Sequence, residues 1–242
     1  NRHEGVVHSS NLCTEILLHT KPTTYKDGEV EEVGETAVCN LASINRENHV
    51  KVRSIDWKKL QQTIEVAVRG LDNVIDINFY PTKEAQNSNL RNRPVGLGVM
   101  GTHGLLHKLK INYDSQEAID MCNKIQEFVS YHAILTSSKL AKERGHYESY
   151  MHSSWSYNNL PIDTYCTLMN SRKGTDSYKP KDFETLEWDK VREHIAEHGM
   201  RNSNVMAIAP TATISYIQGC SQSIEPDYSV LFVYSTLSGE FT

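Results

Sequence analysis

The sequence predicts an α/β fold with helices packed outside a sheet or barrel. Short apolar runs of strand length alternate along the chain with long segments whose apolar residues recur at three- and four-residue steps. Neither an internal repeat nor a low-complexity tract interrupts that alternation. A chain of 242 residues can bury a substantial core, as one large domain or two small ones.

Residues 11–18 read as extended, and KPTTYKDGEVEEVGE is a polar connection without apolar period. TAVCNLASIN, residues 36–45, reads as a strand buried on both sides. From Asp56, a fitting N-cap, Trp57, Leu60, Ile64, Val68, Leu71, Val74 and Ile75 trace a helical stripe that FYP at 79–81 ends. A second helix is expected over about 98–108, and a third over 115–144, capped by Ser115 and stopped by Gly145. Residues 146–185, rich in Ser, Tyr, Asn and Pro, read as surface loops. A helix over 187–198 ends at Gly199; NVMAIAP then reads as a buried strand, PTATISYIQG as a turn entering a helix, and YSVLFVYS as a strand.

The formal net charge of −5 and pI near 6.1 give no electrostatic case for nucleic acid or an anionic membrane as partner. No apolar run approaches bilayer length, and NRHEGVVHSS is not a signal peptide. Five cysteines without a CxxC pair fit neither a disulfide framework nor a zinc site, so a reducing, cytoplasmic setting is expected. The chain starts without Met and stops in what reads as mid-strand, so a fragment of something longer is expected.

SSNLCTEILL sets an amide, a thiol and a carboxylate at alternate positions, Asn11, Cys13 and Glu15. If the segment is extended, the three share one face; in a helix they would scatter. A carboxylate beside a thiol disfavours the thiolate, which suits hydrogen-atom transfer better than nucleophilic attack. Equally, Cys13 could be a small buried hydrophobe with Asn11 and Glu15 facing water.

Three motifs invite other chemistry. GLGVMG, residues 96–101, matches GxGxxG, but LRNRPV is a poor strand to precede it and no acid on a second strand follows, so its glycines are expected to serve close helix packing. HEGVVH sets His3 and His8 five apart, one too many for the zincin spacing. His103 and His107 are four apart on an expected helix without a third ligand, so no metal site is expected. APTATIS differs: after Pro210, the hydroxyls of Thr211, Thr213 and Ser215 and free N–H groups at a helix start could converge on an anion such as a diphosphate. N-capping is the alternative use of such residues.

SNLCTEI, TAVCNLASIN, NRPVGLGVMG, GMRNS, APTATIS, QSIEP and LSGEF occur in this order in the large catalytic subunit of class I ribonucleotide reductase, which the chain resembles from about residue 10 to residue 242. The resemblance implies part of a ten-stranded α/β barrel, residues 1–242 being a partial catalytic domain with a finger loop inside it. It implies that Cys13 is the thiyl-radical residue that abstracts the 3′ hydrogen of a ribonucleoside diphosphate. Glu15 would be the base on the 3′ hydroxyl, and Asn11, with Ser10, would bind the sugar. Cys39 would be a redox cysteine whose partner lies upstream in the family. Pro210, Thr211, Ala212, Thr213, Ile214 and Ser215 would hold the diphosphate. Cys122, Cys166 and Cys220 match no catalytic position and read as structural, and Glu225 receives no catalytic role.

The resemblance further implies a metal-containing (di-iron or related) small subunit as radical source, thioredoxin or glutaredoxin as reductant, and a homodimer of the full subunit. ATP and deoxynucleotide effectors would bind outside this chain, as would the radical-passing tyrosines and the C-terminal cysteines. Adenosylcobalamin enzymes share an Asn-Leu-Cys-x-Glu finger, so the class rests on overall similarity. Two rival readings differ in kind. A nucleotide-binding module or split-gene product, inactive alone, would co-purify with an upstream chain carrying the missing cysteine. A nicotinamide dehydrogenase would bind its cofactor with an affinity sensitive to Gly98→Val.

Overall fold

The computed structural model describes residues 5–229, 231, 233–236 and 239–241. His3 of HEGVVH, residues 230 and 232 of YSVLFVYS and residues 237 and 238 of LSGEF lie outside them. An exposed antiparallel hairpin, β1 (Thr24–Lys26) and β2 (Glu29–Glu32), forms within the polar connection, turning at Asp27 and Gly28. β3 (Asn40–Asn45) follows, then a second small hairpin, β4 (Val50–Lys51) with β5 (Ser54–Ile55). α1 (Trp57–Ile77) starts where Asp56 accepts a hydrogen bond from the Lys59 N–H and buries Leu60, Ile64, Val68, Leu71 and Ile75 as one stripe. Each such side chain contributes roughly 1.5–3 kcal/mol on burial, so the stripe alone fixes which side of α1 meets the sheet.

α2 (Lys83–Asn92) was not expected. The residues it buries are Ala85, Ser88, Asn89 and Asn92, so it shows no apolar period to read. β6 (Val95–Met100) overturns the expected helix at 98–108: every residue is buried and the strand pairs in parallel with β3, Leu41 opposite Gly96 and Ser43 opposite Gly98. The helix begins only after Gly101, as α3 (Thr102–Leu109). GLGVMG therefore runs mainly within a strand, whereas a dinucleotide fingerprint needs its glycines in the turn after one.

α4 (Gln116–Arg144), capped by Ser115 and ended at Gly145, packs on α1 and on α6 (Trp188–His198). α5 (Pro161–Lys173) corrects the expectation of loops across 146–185; it buries Cys166 alone, which left the sequence without a stripe. Residues 204–207 run parallel to the free side of β6, bonded from Val95 N to Asn204 O at 3.0 Å and from Leu97 N to Val205 O at 2.8 Å. α7 (Ile214–Gln218) follows, and β7 (Tyr234–Thr236) pairs with β8 (Gly239–Phe241). The described residues thus place β6 between β3 and 204–207 in an open parallel layer with α1 on one face; they do not close a barrel.

A buried charge hub clamps the entrances to this layer. Asp72, fully buried on α1, accepts from Arg93 Nε at 3.0 Å, Arg144 Nη1 at 3.0 Å, Arg201 Nε at 3.4 Å and Asn202 Nδ2 at 3.1 Å. Arg93 and Arg201 come from NRPVG and GMRNS, so these motif residues serve the scaffold. Deleting the carboxylate would leave Arg93 its pair with Asp76 but remove the shared buried acceptor of all three guanidinium groups and Asn202, a loss of about 3–5 kcal/mol.

Candidate active site

The register of β3 against β6 divides the sheet into two unlike faces. Ala42, Ile44, Val95, Leu97 and Val99 point toward the helices, whereas Leu41, Ser43, Gly96 and Gly98 point the other way. On that second face a Cβ at Gly96 would lie 2.4 Å from Leu41 Cδ2, 2.8 Å from Ala207 Cβ and 3.5 Å from Cys39 Sγ. A Cβ at Gly98 would lie 2.4 Å from the Ala207 carbonyl oxygen and 3.3 Å from Ser43 Oγ. The glycines let the third strand close up while leaving a shallow face with Cys39 at one end and the segment into Pro210 toward the other. Leu41 remains 41 % exposed on it, so β3 is not buried on both sides as expected.

Residues 11–16 form a closed turn, not the extended run expected. Thr14 N donates to Asn11 O at 3.2 Å, Asn11 N to Ile16 O at 3.4 Å, and Ile16 N to Asn11 Oδ1 at 3.0 Å. Alternate side chains therefore do not share a strand face, and the geometric premise for the trio is replaced by a loop. Cys13 sits exposed at its apex beside a fully exposed Leu12. The Asn11 carbonyl oxygen is spent on closing the turn, leaving its amide N–H groups to donate. Ser10 is exposed just before the turn.

Beyond it, Leu18 and His19 are buried, Lys21 pairs with Glu35, and His19 Nε2 lies 3.2 Å from Glu35 Oε2. Glu35 is also held by Arg91 Nη1 at 2.5 Å and Asn92 Nδ2 at 2.7 Å, which ties the base of the loop to α2. Burial alone would raise the Glu35 carboxyl, but these hydrogen bonds and the neighbouring positive charges hold it below its ordinary value.

From this loop the Glu15 carboxylate is near enough to act electrostatically on Cys39. Burial, with the Glu15 carboxylate adding to it, pushes the Cys39 thiol up to about 12. Glu15 Oε2 is buried and has no hydrogen-bond partner among the described residues, a state that costs on the order of 1–3 kcal/mol or more and marks an acceptor built for a donor.

At the other end, the expected convergence of three hydroxyls is not what forms. Thr211 is buried and its Oγ1 accepts from Ser223 N at 2.8 Å; Ser215 is buried with its hydroxyl 3.5 Å from Ala212 O. Thr213 is exposed and makes no side-chain cap. What remains open is backbone: the N–H groups of Ala212, Thr213 and Ile214, exposed beside Pro210, meet no acceptor among the described residues. Thr14 and Thr211 both hold positive φ, 66° and 58°. A β-branched residue there costs about 1–3 kcal/mol and persists where the surroundings force it, as at ligand-facing loops.

Among the described residues no group of three or more His, Cys, Asp or Glu could hold a metal ion, and no helix is long and apolar enough to cross a membrane. His103 Nδ1 instead meets Asp227 Oδ2 at 2.9 Å. Glu225 is exposed in the QSIEP segment. Gly96 and Gly98 are the site positions that the sequence misassigned; two glycines at strand alternation inside an apolar run were the available signal.

Comparison with known proteins places the chain in a family. The model of the ribonucleotide reductase barrel domain matches residues 1–242. The ribonucleoside-diphosphate reductase subunit alpha of Chlamydia muridarum is 53 % identical over 240 residues, 99 % of this chain and 22 % of that protein. The subunit alpha of Helicobacter pylori is 36 % identical, covering 99 % of this chain and 35 % of its own length. The large subunit of Caenorhabditis elegans is 37 % identical over 98 % of this chain and 27 % of its own. The chain therefore spans between 22 % and 35 % of the length of these relatives. By the match of its whole length and the identity of its relatives, this chain belongs to the ribonucleotide reductase barrel-domain family.

Proposed function

We propose that the glycine-lined face is the floor of a site where ribonucleoside diphosphates are reduced to 2′-deoxyribonucleoside diphosphates. The observation that carries this reading is Glu15 Oε2 on the finger turn, buried without a partner among the described residues, its charge acting on the Cys39 thiol that lies beside Gly96 on the floor. In the complete subunit the open parallel layer would be an arc of the ten-stranded barrel, with Cys13 at the tip of the finger loop inside it.

Each residue then has a chemical task. A metal-containing small subunit supplies the oxidising equivalent that leaves Cys13 as a thiyl radical. Cys13 sulfur takes the hydrogen atom from C3′ of the ribose, forming S–H and a C3′ radical. Glu15 takes the proton of the 3′ hydroxyl, which raises electron density at C3′ and eases departure of the 2′ hydroxyl as water. The free Asn11 amide N–H groups orient the sugar hydroxyls, with Ser10 beside them.

Cys39 and a second thiol elsewhere in the subunit supply two electrons and two protons, ending as a disulfide. One proton leaves in the water and the hydrogen is gained at C2′. Cys13 then returns its hydrogen atom to C3′, and Glu15 returns its proton to the 3′ oxygen. A thiol held up near 12 keeps its hydrogen at neutral pH, as a hydrogen donor must. The N–H groups of 212–214, with Pro210 fixing the entry, receive the diphosphate. Thioredoxin or glutaredoxin would reopen the disulfide. Effectors would act at sites outside this chain in a dimeric, cytoplasmic enzyme.

The test uses the complete large subunit with its small subunit, reductant and effector. Cys13→Ser should give no deoxynucleotide while still binding the diphosphate. Product formation by that variant would overturn the reading. The isolated 242-residue chain is expected to give no turnover in the same assay.

A further inference from the structure

The diphosphate turn is held from behind by a chain of buried hydrogen bonds that starts on the opposite side of α3. Arg46, which follows β3, is 2 % exposed and donates from Nη1 to Thr102 Oγ1 at 3.2 Å and from Nη2 to Gln126 Oε1 at 2.5 Å. Thr102, at the first position of α3, passes its hydroxyl hydrogen to Ser223 O at 3.0 Å, and its N–H approaches the same oxygen at 3.4 Å. Ser223 N in turn donates to Thr211 Oγ1 at 2.8 Å. Four elements far apart in sequence thus end on one threonine, whose φ is 58°.

Two features mark this chain as more than packing. Arg46 forms no ion pair among the described residues, and its buried Nε has no partner there, although an unpaired buried guanidinium is costly. Its acceptors among the described residues are neutral, and burial draws its pKa down to about 10. Second, the Thr211 hydroxyl accepts from Ser223 N, so this chain anchors the buried residue at the turn. Its contribution is the left-handed bend, after which the N–H groups of 212–214 meet no acceptor among the described residues.

We propose that Arg46 and Thr102 are positioning residues for the diphosphate: acting through Ser223, they hold Thr211 left-handed and so aim the N–H groups of 212–214 at the substrate anion. This rests on the site reading given above. The buried positive charge, two hydrogen bonds from Ser223, also favours an anion on the outward side of the turn, because little water intervenes to screen it.

Binding to the complete large subunit separates the possibilities, with a ribonucleoside diphosphate and the matching ribonucleoside as probes. The wild type should prefer the diphosphate. Thr102→Val, which keeps shape and removes the hydroxyl, should weaken diphosphate binding about tenfold, the effect of one buried hydrogen bond, and leave nucleoside binding within about twofold. Thr102→Ser should restore the preference. Arg46→Lys, which keeps charge but loses the two-armed reach, should reproduce the loss, and it decides the matter should Thr102→Val fail to fold. A wild type without preference for the diphosphate would defeat the site reading itself. A wild-type preference that survives in the folded variants, or equal weakening toward both probes, would overturn the positioning role.

Discussion

The two faces of the β3–β6 layer are built from alternate residues of the same strands yet obey opposite rules. On the helix side Val95 and Leu97 are fully buried within the core that includes Ile64, Val68 and Ile134, and Val99 is fully buried alongside. On the other side the matching positions are Gly96 and Gly98, with Cys39, Leu41 and Ser43 alongside. One face is filled by core side chains, and the other is flattened by two glycines against which the 204–207 segment closes. A site that must expose a hydrogen-donating sulfur to a sugar cannot also be filled with side chains, so a strand with period two supplies both needs at once.

The largest expected difference is in thiol reactivity. With its pKa near 12, Cys39 carries roughly a thousandth of the thiolate it would have at the ordinary value of 9.0 when assayed near neutral pH. Alkylation followed by peptide mapping should label exposed Cys13 well before Cys39; comparable rates would erase the chemical contrast between these two sulfurs.

The same raised value has a stability consequence. Unfolded Cys39 loses its proton near 9 and folded Cys39 only near 12. The unfolded state therefore binds fewer protons between those values, and stability should fall as pH rises through that window. Denaturant midpoints measured from pH 8 to 11 should show that decline reduced in Cys39→Ala.

Next in size is the packing contrast. Leu97→Ala on the helix side should cost about 2–5 kcal/mol, read as a shift in urea midpoint. Gly98→Ala on the open side should cost about 1–3 kcal/mol by forcing the backbone of Ala207 away, and it should lower activity more than stability. Smallest is Leu41→Ala, with an expected cost below about 1 kcal/mol because the side chain is already 41 % exposed. If Leu41 proved as costly as Leu97, the open face would be a packed one and the site would have to lie elsewhere.

Legibility in the sequence followed the physical signal each element carries. α1 and α4 were read correctly because long apolar stripes and the caps Asp56 and Ser115 are local features. α2 and α5 were missed because they bury polar residues or almost nothing. β6 was misread because glycine erases both helical and strand propensity, and only its neighbours reveal why no Cβ fits. The finger was expected to be straight, and the hydrogen bond from Ile16 to the Asn11 side chain bends it.

By itself the sequence determined the α/β class, the longest helices, and the residue types from which the site is drawn, because periodicity, caps and short motifs are properties of neighbours along the chain. Only the tertiary structure decided that the Glu15 charge acts on Cys39, that Thr211 accepts from Ser223, and that Arg46 and Thr102 stand behind it. Those relations join residues tens to more than a hundred positions apart. They depend on burial and direction in space, which no local pattern encodes.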